Sequence, residues 1–214
     1  MSQYWLRRTW RLLLLCGFAL LICTVAYLLT PWPDIRHRLS MATAYAALSF
    51  FAASLMLGPW NVLRHRHTPV SYDLRRDVGI LTGVLALVHT GVGLTVHLRG
   101  RMWMYFLKGL HPVRVQANAF GAANYAGLIA AAIFALLLML SNDWSLRTLG
   151  ALRWKSLQRW TYSAFVLTVI HAILYQWVEK RHLPWVVFFT ATSLIIIVAQ
   201  SLGYSHMRRS ADRH

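Results

Sequence analysis

Six long apolar runs dominate this chain, at about 12–30, 41–58, 78–98, 124–141, 160–178 and 185–203, and only short connections separate them. A helix crossing the hydrocarbon core of a bilayer needs about 20 mainly apolar residues, since each residue adds about 1.5 Å to a span of about 30 Å. No water is present there to satisfy backbone N–H and C=O groups, so each run is expected to pair its own backbone as a helix. The expected architecture is therefore all-α: an integral membrane bundle of six transmembrane helices forming a single domain over residues 1–214.

Composition agrees. Only 13% of the 214 residues are charged while 57% are hydrophobic, too little charge to cover a soluble surface. The net charge of +16 raises nucleic acid as a partner, but the basic residues lie in short stretches between apolar runs. That distribution suits membrane orientation and contact with anionic lipid headgroups, so lipid is the expected partner and nucleic acid is not. Arg7, Arg8 and Arg11 precede the first run as they would in a signal peptide. Its apolar core is too long for one, and no small-x-small cleavage site precedes Pro31, so it is read as a span.

Basic residues cluster on the side that faces the cytoplasm. Of 22 Lys and Arg, fourteen fall in the N-terminus, the second and fourth connections and the C-terminus, including Arg64, Arg66, Arg75, Arg76, Arg147, Arg153, Lys155, Arg159 and Arg213. Eight fall in the other three connections. This bias predicts a multi-pass membrane protein with both termini cytoplasmic. Trp5, Trp10, Trp32, Trp60, Trp103, Trp144, Trp160, Trp177 and Trp185 lie near the expected span ends, as interfacial anchors do.

Ionisable residues at membrane depth are expensive and point to function. His89, in LALVHTGVG, is about twelve residues into the third run, and His171, in LTVIHAILY, about eleven into the fifth. Both runs cross in the same direction, which puts the two imidazoles at one depth, about 17–18 Å from the inner boundary. Two neutral imidazoles at one level on different helices suit axial ligation of a haem iron. Gly83, Gly91, Gly93, Ala164 and Ala172 lie nearby and are expected to leave room for a flat macrocycle. The alternatives are interhelical hydrogen bonds, a proton pathway or a metal transport site. His97 follows His89 by eight residues, which on a continued helix puts it two turns outward. It is read as a second ligand, a site for an electron acceptor or a boundary residue.

Cys16 and Cys23 share a helix face and cannot pair within one helix, and no C-x-x-C-H or C-x-x-C motif occurs. Covalent haem is thus excluded. No glycine-rich nucleotide fingerprint appears, so electrons are expected from another polypeptide or a quinol.

The run LRRDVGILTGVLALVHTGVG resembles the third span of the ferric-reductase-like transmembrane family. The later pattern Ser141-Asn142, Leu149-Gly150, Trp154, Leu157, Arg159, Tyr162 and His171 resembles it too, as does LMLGPWNVL. The likeness covers about residues 40–178 and is nearest to the haem-binding membrane subunits of bacterial methionine-sulfoxide reductase systems; NADPH oxidases are more distant. It implies haem b held between the third and fifth spans by His89 and His171, with electrons moving from the cytoplasmic side outward. Two-haem members carry a second histidine about thirteen residues inward on each span. Those positions here are Gln158 and Arg75–Arg76, which implies one haem, fed by a flavoprotein, a flavin or a quinone and delivering to an outer-side acceptor. Arg75, Arg76, Arg153, Lys155 and Arg159 would form a basic inner rim for an acidic partner or anionic cofactor.

Overall fold

Each apolar run forms a helix, as backbone groups without access to water require. The computed structural model describes residues 3–64 and 72–211. In chain order, α1 (Gln3–Leu29), α2 (Ile35–Leu63) and α3 (Tyr72–Gly93) precede two short 3-10 turns (Leu98–Gly100 and Met102–Tyr105). An antiparallel hairpin follows, formed by β1 (Leu107–Leu110) and β2 (Val113–Val115), and then α4 (Ala119–Leu140), α5 (Asp143–Gln158), α6 (Trp160–Glu179) and α7 (Leu183–Ala211). The architecture is an all-α bundle. Among the described residues five segments are long and apolar enough to cross a membrane: Trp5–Leu29, Ile35–Leu63, Ala119–Leu140, Asp143–Glu179 and Leu183–Arg209. α3 is not among them, because Asp73, Arg75, Arg76 and Asp77 occupy its first turns. Side chains such as Leu20 (68% exposed), Met139 (72%) and Trp177 (80%) face outward, which lipid tolerates and water does not. The chain is a multi-pass membrane protein.

α2 is central: it packs against α1, α3 and α7, while α4 packs against α3 and α6. Small residues make these approaches close, with Ala46 on α2, Ala123 on α4 and Ala164 on α6 wholly buried. Phe51, Leu55, Ala86, Phe134, Leu137, Ala164 and Ile196 join five helices into one core. Cys23 packs into a second cluster with Met41 and Tyr45, whereas Cys16 is exposed.

The two ends of the bundle differ. At the basic end, wholly buried Asp77 on α3 receives Arg8 at 3.3 Å and Arg11 at 2.7 Å from α1. Arg76 there donates to the Ser141 carbonyl at 3.1 Å and pairs with Asp143 at 2.5 Å. The fourth connection, expected as a basic loop, is helix α5, capped by Asn142, whose side chain accepts from Ser145 N at 2.8 Å. α5 bends at Gly150, whose φ of 72° is one that glycine adopts without steric cost. The opposite, capped end carries the two 3-10 turns and the hairpin, neither expected from the apolar pattern. Arg66 and Arg213, which entered the orientation count, lie outside the described residues.

Candidate functional site

His89 on α3 and His171 on α6 line one cavity of about 160 Å³ between α2, α3, α4 and α6. Their ring centroids are 6.3 Å apart and their planes meet at 78°. Each ring is fixed by a neighbouring helix: His89 Nδ1 is 3.0 Å from the Ser40 carbonyl on α2, and His171 Nδ1 is 2.8 Å from the Ala123 carbonyl on α4. A carbonyl oxygen only accepts, so in each ring Nδ1 carries the proton and Nε2 keeps its lone pair. Among the described residues neither Nε2 has a hydrogen-bond partner.

That is the tautomer a metal-ligating histidine needs, with the second nitrogen held by a carbonyl. Two ring nitrogens each about 2 Å from a shared metal leave the ring centroids about 6 Å apart. The observed centroid separation of 6.3 Å matches that spacing. No group of three or more His, Cys, Asp or Glu among the described residues could hold a bare metal ion. A metal here would have to bring its remaining ligands with it, as the iron of a haem does.

α4 reaches His171 only because residue 127 is glycine. A Cβ there would lie 2.6 Å from His171 Nδ1 and 2.8 Å from Cε1. Gly127 was not among the small residues expected to make room. Of those, Gly93 and Ala172 line the cavity. Gly83 instead faces Leu138 and Phe134 on α4, Ala164 lies in the core, and nothing stands within 4 Å of a Cβ at Gly91. Tyr175, one turn beyond His171, leans on its ring at 4.9 Å and donates to Asn124 Oδ1 at 2.7 Å. An asparagine inside an apolar run was a signal available in the sequence.

His97 is not on the helix of His89. α3 ends at Gly93, where Tyr105 from the cap donates to the Gly93 carbonyl at 3.0 Å and accepts from His97 N at 2.7 Å. Burial pushes the Tyr105 phenol up, which keeps it a donor. His97 instead joins a cluster at the capped end of the cavity. Its Nε2 is 2.9 Å from Glu179 Oε1, Arg181 Nε donates to Glu179 Oε2 at 3.0 Å, and His37 Nε2 lies 3.9 Å from the same oxygen. Trp32 stacks on His37 at 4.5 Å. Neither Glu179 nor His37 was singled out in the sequence, because both stand near span ends, where a charge is ordinary.

At the basic end, Gln158 Nε2 is buried without a partner among the described residues, and Arg76 is tied to Ser141 and Asp143. Arg75, Arg153, Lys155 and Arg159 are exposed. The residues of the Ser141–Arg159 pattern have local structural roles: Ser141 and Asn142 end α4 and cap α5, Gly150 bends α5, and Trp154 Nε1 donates to the Leu140 carbonyl at 2.9 Å. No family model matches the chain, and no curated protein matches it significantly.

Proposed function

We propose that this chain is a haem b membrane protein, ferric-reductase-like, that passes electrons from a donor at its basic end to an acceptor at its capped end. The observation that carries the reading is the pair His89 and His171, with both Nδ1 atoms on backbone carbonyls and both rings on one cavity. They would hold one haem by its iron. Haem bound there supplies reversible one-electron chemistry. The protein's part is to hold each imidazole in the ligating tautomer, through Ser40 and Ala123, and to keep water out with the apolar walls around Phe51 and Phe134.

In this reading the basic end faces the cytoplasm of a bacterial inner membrane, with both termini there, as the distribution of Lys and Arg favours. A flavoprotein or quinol donates electrons at that end, with a bound flavin or quinone as a further cofactor, and a protein or small molecule accepts them outside. Exposed Arg75, Arg153, Lys155 and Arg159 suit an acidic donor.

The hydrogen bonds to Ser40 and Ala123 also support a second reading. In it, His89 and His171 are interhelical ties in a non-redox transporter or structural subunit. A visible spectrum of the folded, purified protein supplied with haem separates the two. The first predicts a low-spin b-type spectrum with bands that sharpen on reduction. A helical, monodisperse protein that takes up no haem would establish the second.

A further inference from the structure

The cavity is chemically polarised along its length. Towards the basic end it closes on Phe51, Phe134 and Ala130, all apolar. Towards the capped end it opens on His37, His97, Glu179 and Arg181. Haem is amphiphilic in the same sense, with an apolar edge and an edge bearing two carboxylates. Buried carboxylates require cationic or N–H partners. Among the cavity-lining residues Arg181 is the one permanent cation, and His37 and His97 beside it carry ring N–H groups that donate.

Resting on the haem reading above, we infer that the cofactor would lie with its carboxylate edge towards the capped end, held by Arg181 with His37 and His97, and its apolar edge against Phe51 and Phe134. Glu179 does not oppose this arrangement. Its two oxygens are already engaged by His97 and Arg181, so it holds those side chains at the cavity mouth. Arg181 gives its Nε to Glu179, and a guanidinium has further N–H donors for a second carboxylate. Arg181 is thus a binding residue and Glu179 a positioning residue. The reduction potential of a haem follows the charge around it. Arg181 favours the reduced form and Glu179 the oxidised form.

The experiment compares wild type, Arg181→Gln and Glu179→Gln, each reconstituted with haem and with haem dimethyl ester, whose carboxylates are blocked. Haem transfer to apomyoglobin and the midpoint potential are measured. Arg181→Gln should release haem about tenfold faster, the loss of one charge-assisted hydrogen bond. It should lower the potential, while Glu179→Gln raises it. With the dimethyl ester the difference in release between Arg181→Gln and wild type should disappear. Potentials that move in the same direction in both variants, or an Arg181→Gln defect equally large with the ester, would show a role in folding alone and overturn the inference while leaving the haem reading in place. A folded wild-type chain that retains neither haem nor ester overturns both.

Discussion

At the scale of single residues, the site depends on two imidazoles and the groups that orient them. Replacing His89 or His171 with Ala should abolish haem retention or convert the spectrum to a high-spin form. An unchanged low-spin spectrum in both variants would remove them as the axial pair. Gly127 gives an independent handle, because it touches His171 from α4 without being able to ligate. A Cβ 2.6 Å from Nδ1 forces either the ring or the helix to move. Gly127→Ala should therefore cost about 1–3 kcal/mol, the range for overpacking a tight interior. It should also perturb the haem spectrum more than Gly91→Ala, where the added atom meets nothing within 4 Å. Equal behaviour of the two variants in thermal melts and spectra would contradict this.

At the scale of elements, α1 is held at its basic end by charge and elsewhere mainly by its packing on α2. Its face towards lipid is largely apolar, with Leu14, Phe18 and Leu20 exposed. Asp77 is wholly buried and meets Arg8 and Arg11, and a buried charge that loses its partner is left uncompensated. Replacing Arg8 and Arg11 together with Ala should thus destabilise the bundle by about 3–5 kcal/mol. The fall in Tm should be accompanied by easier proteolysis at the start of α1. A variant as stable as wild type would mean that water reaches Asp77 and that the triad adds little. α5 shows where a pattern of apolar runs stops being informative. With Trp144 74% exposed and Leu152 88% exposed among Arg147, Arg153 and Lys155, it has no continuous apolar stretch to announce it. It forms because Asn142 caps it and Trp154 ties it back to the end of α4.

At the scale of the whole molecule, one cavity with one histidine pair predicts one haem per chain. Gln158 and the Arg75–Arg76 pair stand where a second pair would be required, and Arg76 is spent on Ser141 and Asp143. A measured ratio near two would require a ligand outside the pair, with His97 or Met102 the first to replace. Reduction should need an outside donor. NADPH alone should leave the haem oxidised, whereas an added flavin reductase should reduce it, more slowly at high salt. Exposed arginines act over about 8 Å at physiological ionic strength. Rapid reduction by NADPH alone would reveal a nucleotide site, and a salt-independent rate would take the basic rim out of donor docking.

The six apolar runs were legible in the sequence as helical, since backbone in hydrocarbon must pair with itself, as was the common level of His89 and His171, since helical rise is constant. Periodicity carried His97 one step too far along α3, because Gly91 and Gly93, a residue type also frequent inside membrane helices, do not by themselves say where the helix ends. That ending depends on Tyr105, twelve residues later, reaching back to the Gly93 carbonyl. The tertiary structure alone decided which imidazole nitrogen is free, because Ser40 and Ala123 belong to other helices. It also decided that His37, His97 and Arg181 converge on Glu179, a pairing between segments up to 142 residues apart that no local pattern encodes. Periodicity reports what each helix must bury. Which partner it buries against depends on side chains meeting across the bundle.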